Sequence, residues 1–286
     1  MIEEFSMSSG YEKRVADHNA ACVIMSVYHG DKLEYLEKSI SSIDTASIDR
    51  IYIGIDGPIS TDIQHYLETI RSDKVFTYSF PSNRGLAYVL NDLITEALSS
   101  ETKFEFFFRM DADDISVKSR FEKQINYLSE NPHVSCFGTC AQIINERGEV
   151  IGNIKKRLNH DELISRLAFD SPFVHPSVVF RRSVLIDQLY PTDSIRFEDV
   201  AMWFSLAKKG FIFENLENRL IYYRVTDCTI SRRRGLKKLY HELCVRRNIA
   251  CHFKGRFGIS MLMIYLIFIT KLILPPAVIK ILLLAK

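Results

Sequence analysis

The first half of the chain alternates short apolar runs with segments in which apolar residues recur at helical spacing. Four runs are almost wholly apolar and predict buried strands, at residues 21–28, 50–55, 75–79 and 104–110. Four amphipathic segments predict helices, at residues 31–43, 61–70, 86–98 and 117–128. This alternation predicts an α/β fold with a mostly parallel, Rossmann-like sheet and helices on both faces. Ligands of such sheets bind beyond the carboxyl ends of the strands, so the loops after these four runs are the expected site.

The second half of the chain mixes element types. Further strands are predicted at residues 134–145, 150–154, 177–181 and 211–225, of which the first two form a hairpin. Residues 198–209 predict a helix that ends at Gly210, because glycine is favoured just beyond a helix C-terminus.

The character of the chain changes after Ser231. Basic residues then cluster against one acidic residue, Glu242; they are Arg232, Arg233, Arg234, Lys237, Lys238, Arg246, Arg247, Lys254 and Arg256. Residues 257–270 carry no charge, but this stretch is shorter than the roughly 20 residues that a spanning helix needs. We therefore expect residues 232–286 to form a basic and apolar helical segment lying on an anionic membrane surface. A helix folded back on the domain and a re-entrant or spanning hairpin are the alternatives.

Composition narrows the class of protein. The 286 residues are 47% hydrophobic, enough for a sizeable core, and the net charge of +2 gives no general affinity for nucleic acid. The six cysteines form no C-x-x-C pair, which is typical of a reducing compartment. Residues 1–19 are polar and contain no apolar stretch of the kind found in secretory signals. We expect a cytoplasmic protein with a polar extension (1–20), a catalytic domain (21–231) and the C-terminal segment (232–286).

The strongest chemical signal is the acidic motif at residues 109–114. Asp111, Asp113 and Asp114 follow the fourth apolar run, where three carboxylates repel one another unless a cation lies among them. A hard divalent ion, Mg²⁺ or Mn²⁺, shared with substrate phosphates is the natural partner. The alternative is that Asp113 or Asp114 caps a helix beginning near Ser116.

Glu198 and Asp199 form the second acidic signal, at the start of a predicted helix. The helix dipole stabilises the charged form of a carboxylate there, which suits a general base. Helix capping is the alternative for both residues.

Weaker signals lie at the expected loops. Asp56 follows the second strand and has the acceptors to bind a nucleobase edge, although Asp-Gly turns are common. Asn83 and Arg84 precede a helix whose N-terminus suits a phosphate, with a plain capped turn as the alternative. His175 opens a predicted strand and is a candidate for contact with metal or acceptor, against a purely structural role.

These residues resemble the family 2 glycosyltransferases, which have the GT-A fold. The resemblance runs from about residue 21 to residue 231 and rests on five segments in family order. They are VIMSVYHGDKLEYLEKSISSI, SNRGLAYVLN, RMDADD, HPSVVFRR and FEDVAMW. Two positions depart from the family pattern. His29 stands where Asn is common, and Thr226 stands where the family commonly has a His. Any contact that the family's His makes would come in this chain from Ser231 or from residues 232–234.

The resemblance implies a role for each matched residue. Ser26 and Val27 would line the nucleotide pocket, with Asp56 binding the uracil. Arg109 would order the diphosphate side of the site. The metal would be held by Asp111, which also faces the ribose, and by Asp113 as principal ligand. Asp199 would be the catalytic base, with Glu198 and His175 as candidates on the acceptor side.

The implied activity is inverting transfer of a hexose from a nucleotide sugar, with UDP-galactose or UDP-glucose expected first. The expected acceptor is an undecaprenyl-diphosphate-linked saccharide in O-antigen or exopolysaccharide synthesis, at the cytoplasmic face of the bacterial inner membrane. A nucleotidyltransferase or sugar pyrophosphorylase would normally have a glycine-rich phosphate loop after the first strand. This chain matches that pattern less well, because its loop there has one glycine, Gly30. A D-x-D phosphatase would carry its motif after the first strand, and a membrane-binding module would not need the acidic motif.

Overall fold

The computed structural model describes residues 20–193, 197–226, 236–253 and 257–273. The predicted N-terminal extension, the cluster at residues 231–234 and the last apolar piece after residue 273 lie outside the described residues. The strands are β1 Ala21–Tyr28, β2 Arg50–Asp56, β3 Val75–Phe80, β4 Phe106–Asp111, β5 Ile115–Ser116, β6 Cys136–Ile144, β7 Val150–Ile154, β8 Val179–Arg181 and β9 Phe213–Arg224. The helices are α1 Leu33–Ser41, α2 Thr61–Thr69, α3 Leu86–Ser99, α4 Arg120–Glu130, α5 His160–Arg166, α6 Arg182–Asp187, α7 Glu198–Lys208, α8 Leu236–His252 and α9 Phe257–Ile273.

The described strands form a single mixed sheet in the order β3-β2-β1-β4-β8-β6-β9-β5, with β7 paired to β6. The strands β3, β2, β1 and β4 are parallel, as the apolar runs predict. The prediction of a mostly parallel sheet fails beyond β4, because β8 is antiparallel to both of its neighbours and β5 is antiparallel to β9. The predicted hairpin of β6 and β7 is present. Since β6 and β9 keep the direction of β4, the carboxyl ends of β4 and β9 lie at one edge.

Helices cover both faces of the sheet, in agreement with the sequence pattern. Side chains of β1 alternate between the faces: Ile24 packs with Leu93 of α3 and Trp203 of α7, whereas Val23 packs with Leu36 of α1 and Phe121 of α4. This period of two decides which residues at the carboxyl ends of the strands share a face with α3 and α7.

Two predicted local structures are corrected. The helix α4 begins at Arg120, because residues 115–116 are extended and pair with β9; Ser119 is its N-cap, so neither Asp113 nor Asp114 caps it. His175 opens a 3₁₀ turn, His175–Ser177, rather than a strand. Proline there has no N–H to give to a ladder and its φ suits the first turn of a helix.

The C-terminal helices pack against the rest of the molecule. Ile249 and Ala250 of α8 and Ile264 of α9 are buried in the cluster that contains Trp203. This packing is the alternative that the sequence left open for residues 232–286. Among the described residues, no helix has both the length and the apolar character needed to cross a bilayer.

Candidate active site

The three aspartates of the acidic motif converge at the carboxyl end of β4. Asp111 is the last residue of β4, and one carboxylate oxygen from each of Asp111, Asp113 and Asp114 lies within 4.8 Å of the others. Asp111 and Asp113 are partly exposed, while Asp114 is fully buried. The predicted pair of metal ligands is therefore part of a group of three, and Asp114, which sequence analysis assigned only to capping or charge, belongs to it.

Backbone and side-chain hydrogen bonds hold this acidic loop in place. The N–H of Arg224 donates to Asp114 Oδ1 at 2.7 Å, and Arg224 Nε donates to the Asp113 carbonyl at 2.8 Å. Ser39 Oγ of α1 donates to the Asp111 carbonyl at 2.9 Å. Arg224 is itself buried at the end of β9, with its guanidinium 4.1 Å from the ring centroid of Tyr35. Arg224 had no assigned role from the sequence, because its contacts with Asp113 and Asp114 join segments about 110 residues apart.

Two buried arginines oppose the negative charge of the loop. The Arg109 guanidinium donates to Asp111 Oδ1. Arg120 is fully buried and its Nη2 donates to the Arg109 carbonyl at 2.9 Å. Burial lowers the pKa of Arg120 to about 9, and the charge of Asp114 opposes that shift.

Asp114 provides the test of whether a cation fits. Burial raises its pKa well above the usual value, and the charges of Asp113 and Asp111 raise it further. Its Oδ2 atom is buried and has no hydrogen-bond partner among the described residues. A buried carboxylate oxygen without a partner, beside two further carboxylates, is the donor set that a hard divalent cation requires. The residues therefore fit a divalent metal ion.

The predicted nucleotide-binding strand end lies beside this loop. Ser26 of β1 is in register with Asp111 of β4 and Gly54 of β2, and all three belong to the α3–α7 side of the sheet. Val27 faces the other side, where its side chain is fully buried in the core. Only the backbone of Val27 is left to line a nucleotide pocket, whereas Ser26 can use its hydroxyl.

Asp56 organises the loop that was predicted to hold a phosphate. Its carboxylate accepts the N–H groups of Arg84 at 2.7 Å and Gly85 at 3.0 Å, and its carbonyl accepts Asn83 Nδ2 at 3.2 Å. The anion at the N-terminus of α3 is thus the protein's own carboxylate. The side chain of Arg84 pairs with Asp92. Nucleobase binding by Asp56 and phosphate binding by Asn83 and Arg84 stay predictions.

His175 lies between the acidic loop and helix α7. Its Nε2 is 2.8 Å from the hydroxyl oxygen of Tyr190, and its ring centroid is 5.9 Å from that of Trp203 in α7. Apolar surroundings lower the pKa of His175 well below its usual value, and the charge of Arg109 lowers it further. The imidazole is therefore neutral at pH 7. Tyr190, which sequence analysis missed, has its pKa raised by burial.

Asp199, the predicted base, lies at the N-terminus of α7, on the side of the helix that faces His175 and Tyr190. Asp199 is one helical turn before Trp203, so the two side chains share a face. Burial is the main cause of the raised pKa of Tyr190, and the charges of Asp199 and Asp111 raise it further. Glu198 precedes Asp199 in the same turn. The N-cap residue, Phe197, has no side-chain oxygen.

Comparison with known proteins decides the family. Residues 22–189 match the family described as glycosyl transferase family 2. The chain belongs to this family. The O-antigen biosynthesis glycosyltransferase WbnJ of Escherichia coli is 31% identical over 71% of this chain and 78% of its own length. An E. coli UDP-Gal:alpha-D-GlcNAc-diphosphoundecaprenol beta-1,3-galactosyltransferase is 24% identical over 77% of this chain and 80% of its own.

Solved structures support the fold of this family 2 glycosyltransferase. The crystal structure of S. aureus TarS 1-349 in complex with UDP gives a TM-score of 0.59 at 14% identity, covering 84% of this chain and 68% of that chain. At this identity the likeness shows the fold alone, and it confirms the predicted GT-A-type α/β architecture. Family membership makes the protein a glycosyltransferase, so the pyrophosphorylase, phosphatase and membrane-module alternatives are set aside.

The glycosyltransferase therefore brings most of its predicted site residues to one edge and one face of the sheet. Ser26, Arg109 and Asp111 are on adjacent strands there, with Asp113 in the loop that follows. His175 and the start of α7 adjoin them. The turn at Asn83 and Arg84 is attached to the same edge through Asp56.

Proposed function

We propose that this glycosyltransferase moves a hexose from a UDP-sugar to a lipid-linked saccharide with inversion at the anomeric carbon. The observation that carries the proposal is the pairing of two acidic groups: three carboxylates at the end of β4, and Asp199 at the start of α7 on the same face. A group that binds the leaving diphosphate and a separate base are what a single displacement needs.

Asp199 has the position of a general base. As the second residue of α7 it lies within the first turn, where the helix dipole stabilises its ionised form. Asp199 takes the proton of an acceptor hydroxyl while that oxygen attacks the anomeric carbon from the side opposite the diphosphate. One displacement without an enzyme nucleophile inverts the configuration, as in inverting glycosidases whose base and leaving group lie on opposite faces.

The residues around the end of β4 hold the leaving group. Asp111, Asp113 and Asp114 would bind Mn²⁺ or Mg²⁺, which neutralises charge on a departing nucleoside diphosphate. Arg109 orients Asp111 through its guanidinium. Ser26 and Asp56 are proposed to contact the nucleoside, and Asn83 and Arg84 the diphosphate.

The names of the relatives support the proposed substrates. The galactosyltransferase named above acts with UDP-Gal on a diphosphoundecaprenol-linked GlcNAc, by its description, and a 27% identical relative from Erwinia amylovora is an amylovoran biosynthesis glycosyltransferase. UDP-galactose, or else UDP-glucose, is therefore the proposed donor, and an undecaprenyl-diphosphate-linked saccharide is the proposed acceptor. Bacterial O-antigen or exopolysaccharide assembly is the proposed process.

Helix α9 supports a peripheral position on the membrane that carries such an acceptor. Ile264 is buried against the domain, whereas five large apolar residues of the helix are exposed: Leu262, Met263, Tyr265, Leu266 and Ile269. A helix lying along the protein with an apolar outer side suits insertion into the headgroup region. The basic residues between positions 232 and 256 would add attraction to the anionic cytoplasmic leaflet.

The test is a transfer assay with the full chain in Mn²⁺ or Mg²⁺. UDP-galactose, UDP-glucose and UDP-N-acetylglucosamine are each offered with a GlcNAc-diphospho-lipid acceptor, and the anomeric configuration of the product is determined by NMR. We expect metal-dependent UDP release, transfer from a UDP-hexose, and a β-linked product from the α-linked donor. Retention of configuration, or transfer undiminished in excess EDTA, would contradict the proposal.

A further inference from the structure

Helix α7 begins without the polar residue that usually fixes a helix start. Its N-cap is Phe197, with φ −143° and ψ 25°, and the side chain of this residue makes no capping hydrogen bond. The Phe197 carbonyl accepts the first helical hydrogen bond, from the N–H of Ala201 at 3.1 Å. Most helices use a Ser, Thr, Asp or Asn oxygen at this position. The ring of Phe197 is therefore one of the groups that fix the start of α7, two residues before Asp199.

A cation from the C-terminal region holds that ring. The guanidinium carbon of Arg246, on α8, is 5.4 Å from the centroid of the Phe197 ring. Its Nε donates to Glu242 Oε1 at 2.8 Å, and its Nη1 donates to the Ala168 carbonyl just beyond α5 at 3.1 Å. The side chains of Glu242 and Arg246 are each only 11% exposed.

The geometry makes Arg246 a bridge between three parts of the molecule. The planar guanidinium has its nitrogens committed to two oxygens in fixed directions, so its orientation relative to Phe197 is set. A cation over an aromatic ring is more strongly bound where water is excluded, and the side chain of Arg246 is largely buried. Arg246 thus connects α8 and the end of α5 to the first turn of α7.

We propose that Arg246 is a positioning residue for the proposed base Asp199, acting through the ring of Phe197. The inference rests on the proposed function, since it concerns the reach of that base to the acceptor hydroxyl. It also gives the C-terminal helices a part in the reaction apart from any contact with membrane. A shift of about 1 Å in a reacting group can reduce rate a hundredfold, and loss of this one contact should allow a smaller displacement.

The first experiment compares Arg246→Ala with Arg247→Ala in the full chain. Arg247 is the exposed neighbour on the same helix and serves as the matched control. We expect Arg246→Ala to lower kcat about tenfold while the donor KM and Mn²⁺-dependent UDP affinity stay within twofold, because the donor site is at the end of β4. Arg246→Lys keeps a cation beside Phe197 and should recover part of the loss. Equal kcat for the two alanine variants would overturn the proposal.

A second experiment separates this proposal from the proposed function. In the Asp199→Asn background the base is absent, so adding Arg246→Ala should cost less than a further twofold. A full tenfold loss in that background would mean that Arg246 acts elsewhere, and the proposal would fail while the base assignment stands. Normal turnover of Asp199→Asn alone would instead remove the base assignment.

A third variant covers the case in which Arg246→Ala does not fold. Phe197→Leu keeps an apolar side chain against the core but removes the ring that Arg246 contacts. Thermal unfolding establishes that the variant is folded, and we expect the same drop in kcat at unchanged donor KM. A folded Phe197→Leu protein with wild-type kcat would overturn the proposal.

Discussion

The backbone N–H of Arg224 donates a 2.7 Å hydrogen bond to Asp114 Oδ1 across 110 residues of sequence. The bond directs one oxygen of Asp114 to the end of β9 and leaves the other beside the carboxylates of Asp111 and Asp113. Strand β9 therefore shapes the acidic loop that follows β4.

Replacing Asp113 should remove the metal dependence of nucleotide binding. Asp113→Ala takes one carboxylate from the group of three, so the site loses charge and a ligand. We expect no measurable transfer, and UDP affinity that is the same with and without Mn²⁺ in calorimetry. Asp73→Ala, an exposed carboxylate ahead of β3, is the control and should behave as wild type. An Asp113→Ala protein with the wild-type Mn²⁺ effect would show that Asp113 is not a ligand.

Replacing Asp114 should stabilise the metal-free protein. The pKa of Asp114 is higher in the folded protein than in the unfolded chain. Between these two pKa values the unfolded chain releases the proton and the folded protein keeps it. The free energy of unfolding therefore falls as the pH rises through this range. Asp114→Asn keeps an acceptor for Arg224 and removes this cost. In EDTA at pH 7 we expect a rise in Tm of roughly 2–4 °C, or ~1 kcal/mol. The further rise that Mn²⁺ causes in wild type should disappear. A lower Tm in EDTA would contradict this account.

The base assignment predicts a selective loss of turnover. Asp199→Asn preserves size, and its turnover should fall by a factor of about 10² or more, as for loss of a general base. Donor affinity should hardly change, because the donor residues are on other elements. Glu198→Gln alters the adjacent carboxylate of the same turn, so comparing the two variants shows which of the two carboxylates is the base. If Glu198→Gln loses turnover and Asp199→Asn does not, the base is Glu198.

The buried histidine predicts an acid-sensitive fold. The pKa of His175 is lower in the folded protein than in the unfolded chain. Below about pH 6.5 the unfolded chain therefore binds a proton at this residue that the folded protein does not bind, and the free energy of unfolding falls as the pH falls. His175→Gln cannot titrate, and its unfolding free energy in urea should change less between pH 7.5 and 5.5, by up to ~1 kcal/mol. The exposed His65, changed to Gln, is the control. Identical pH dependence of wild type and His175→Gln would rule out this contribution.

Two residues of α9 separate packing from membrane contact. Ile264 is 2% exposed, so Ile264→Ala should destabilise the fold by roughly 2–4 kcal/mol, as for other buried aliphatic truncations. Leu266 is 52% exposed, so Leu266→Asp should change stability by under ~0.5 kcal/mol. The same Leu266→Asp change should weaken co-sedimentation with phosphatidylglycerol vesicles. Unchanged vesicle binding would mean that this side of α9 does not contact the membrane.

The docking of α9 also changes what truncation is expected to do. From the sequence, removal of residues after Arg256 should give a more soluble protein that still uses a short acceptor. Because Ile264 packs in the core beside Trp203, we now expect that truncation to lower Tm as well. Periodicity could not distinguish these outcomes, since an apolar helix against lipid and one against protein have the same pattern.

Sequence analysis found the elements that depend on neighbours in the chain. The strand predicted at residues 104–110 and the helix predicted to begin at Glu198 follow from local patterns of apolar and polar residues, and both are present, the strand as Phe106–Asp111. The parallel direction of β1 to β4 was also predicted, because strands that alternate with helices form β-α-β units. The order of these strands in the sheet was not predicted. The antiparallel β8 was not predicted, since three residues are too short for their pattern to show direction.

The sequence by itself determined the family, the α/β class and the two acidic signals, because motifs in order and periodicity are written in consecutive residues. Only the tertiary structure showed the burial and the hydrogen-bond partners of each carboxylate. The carboxylate of Asp56 anchors the turn before α3, and Asp114 of the acidic motif is buried and bonded to a strand 110 residues away. An aspartate that caps a helix and one that binds a cation are the same residue type. Their difference lies in burial and in which distant donors reach them, which are properties of the folded chain.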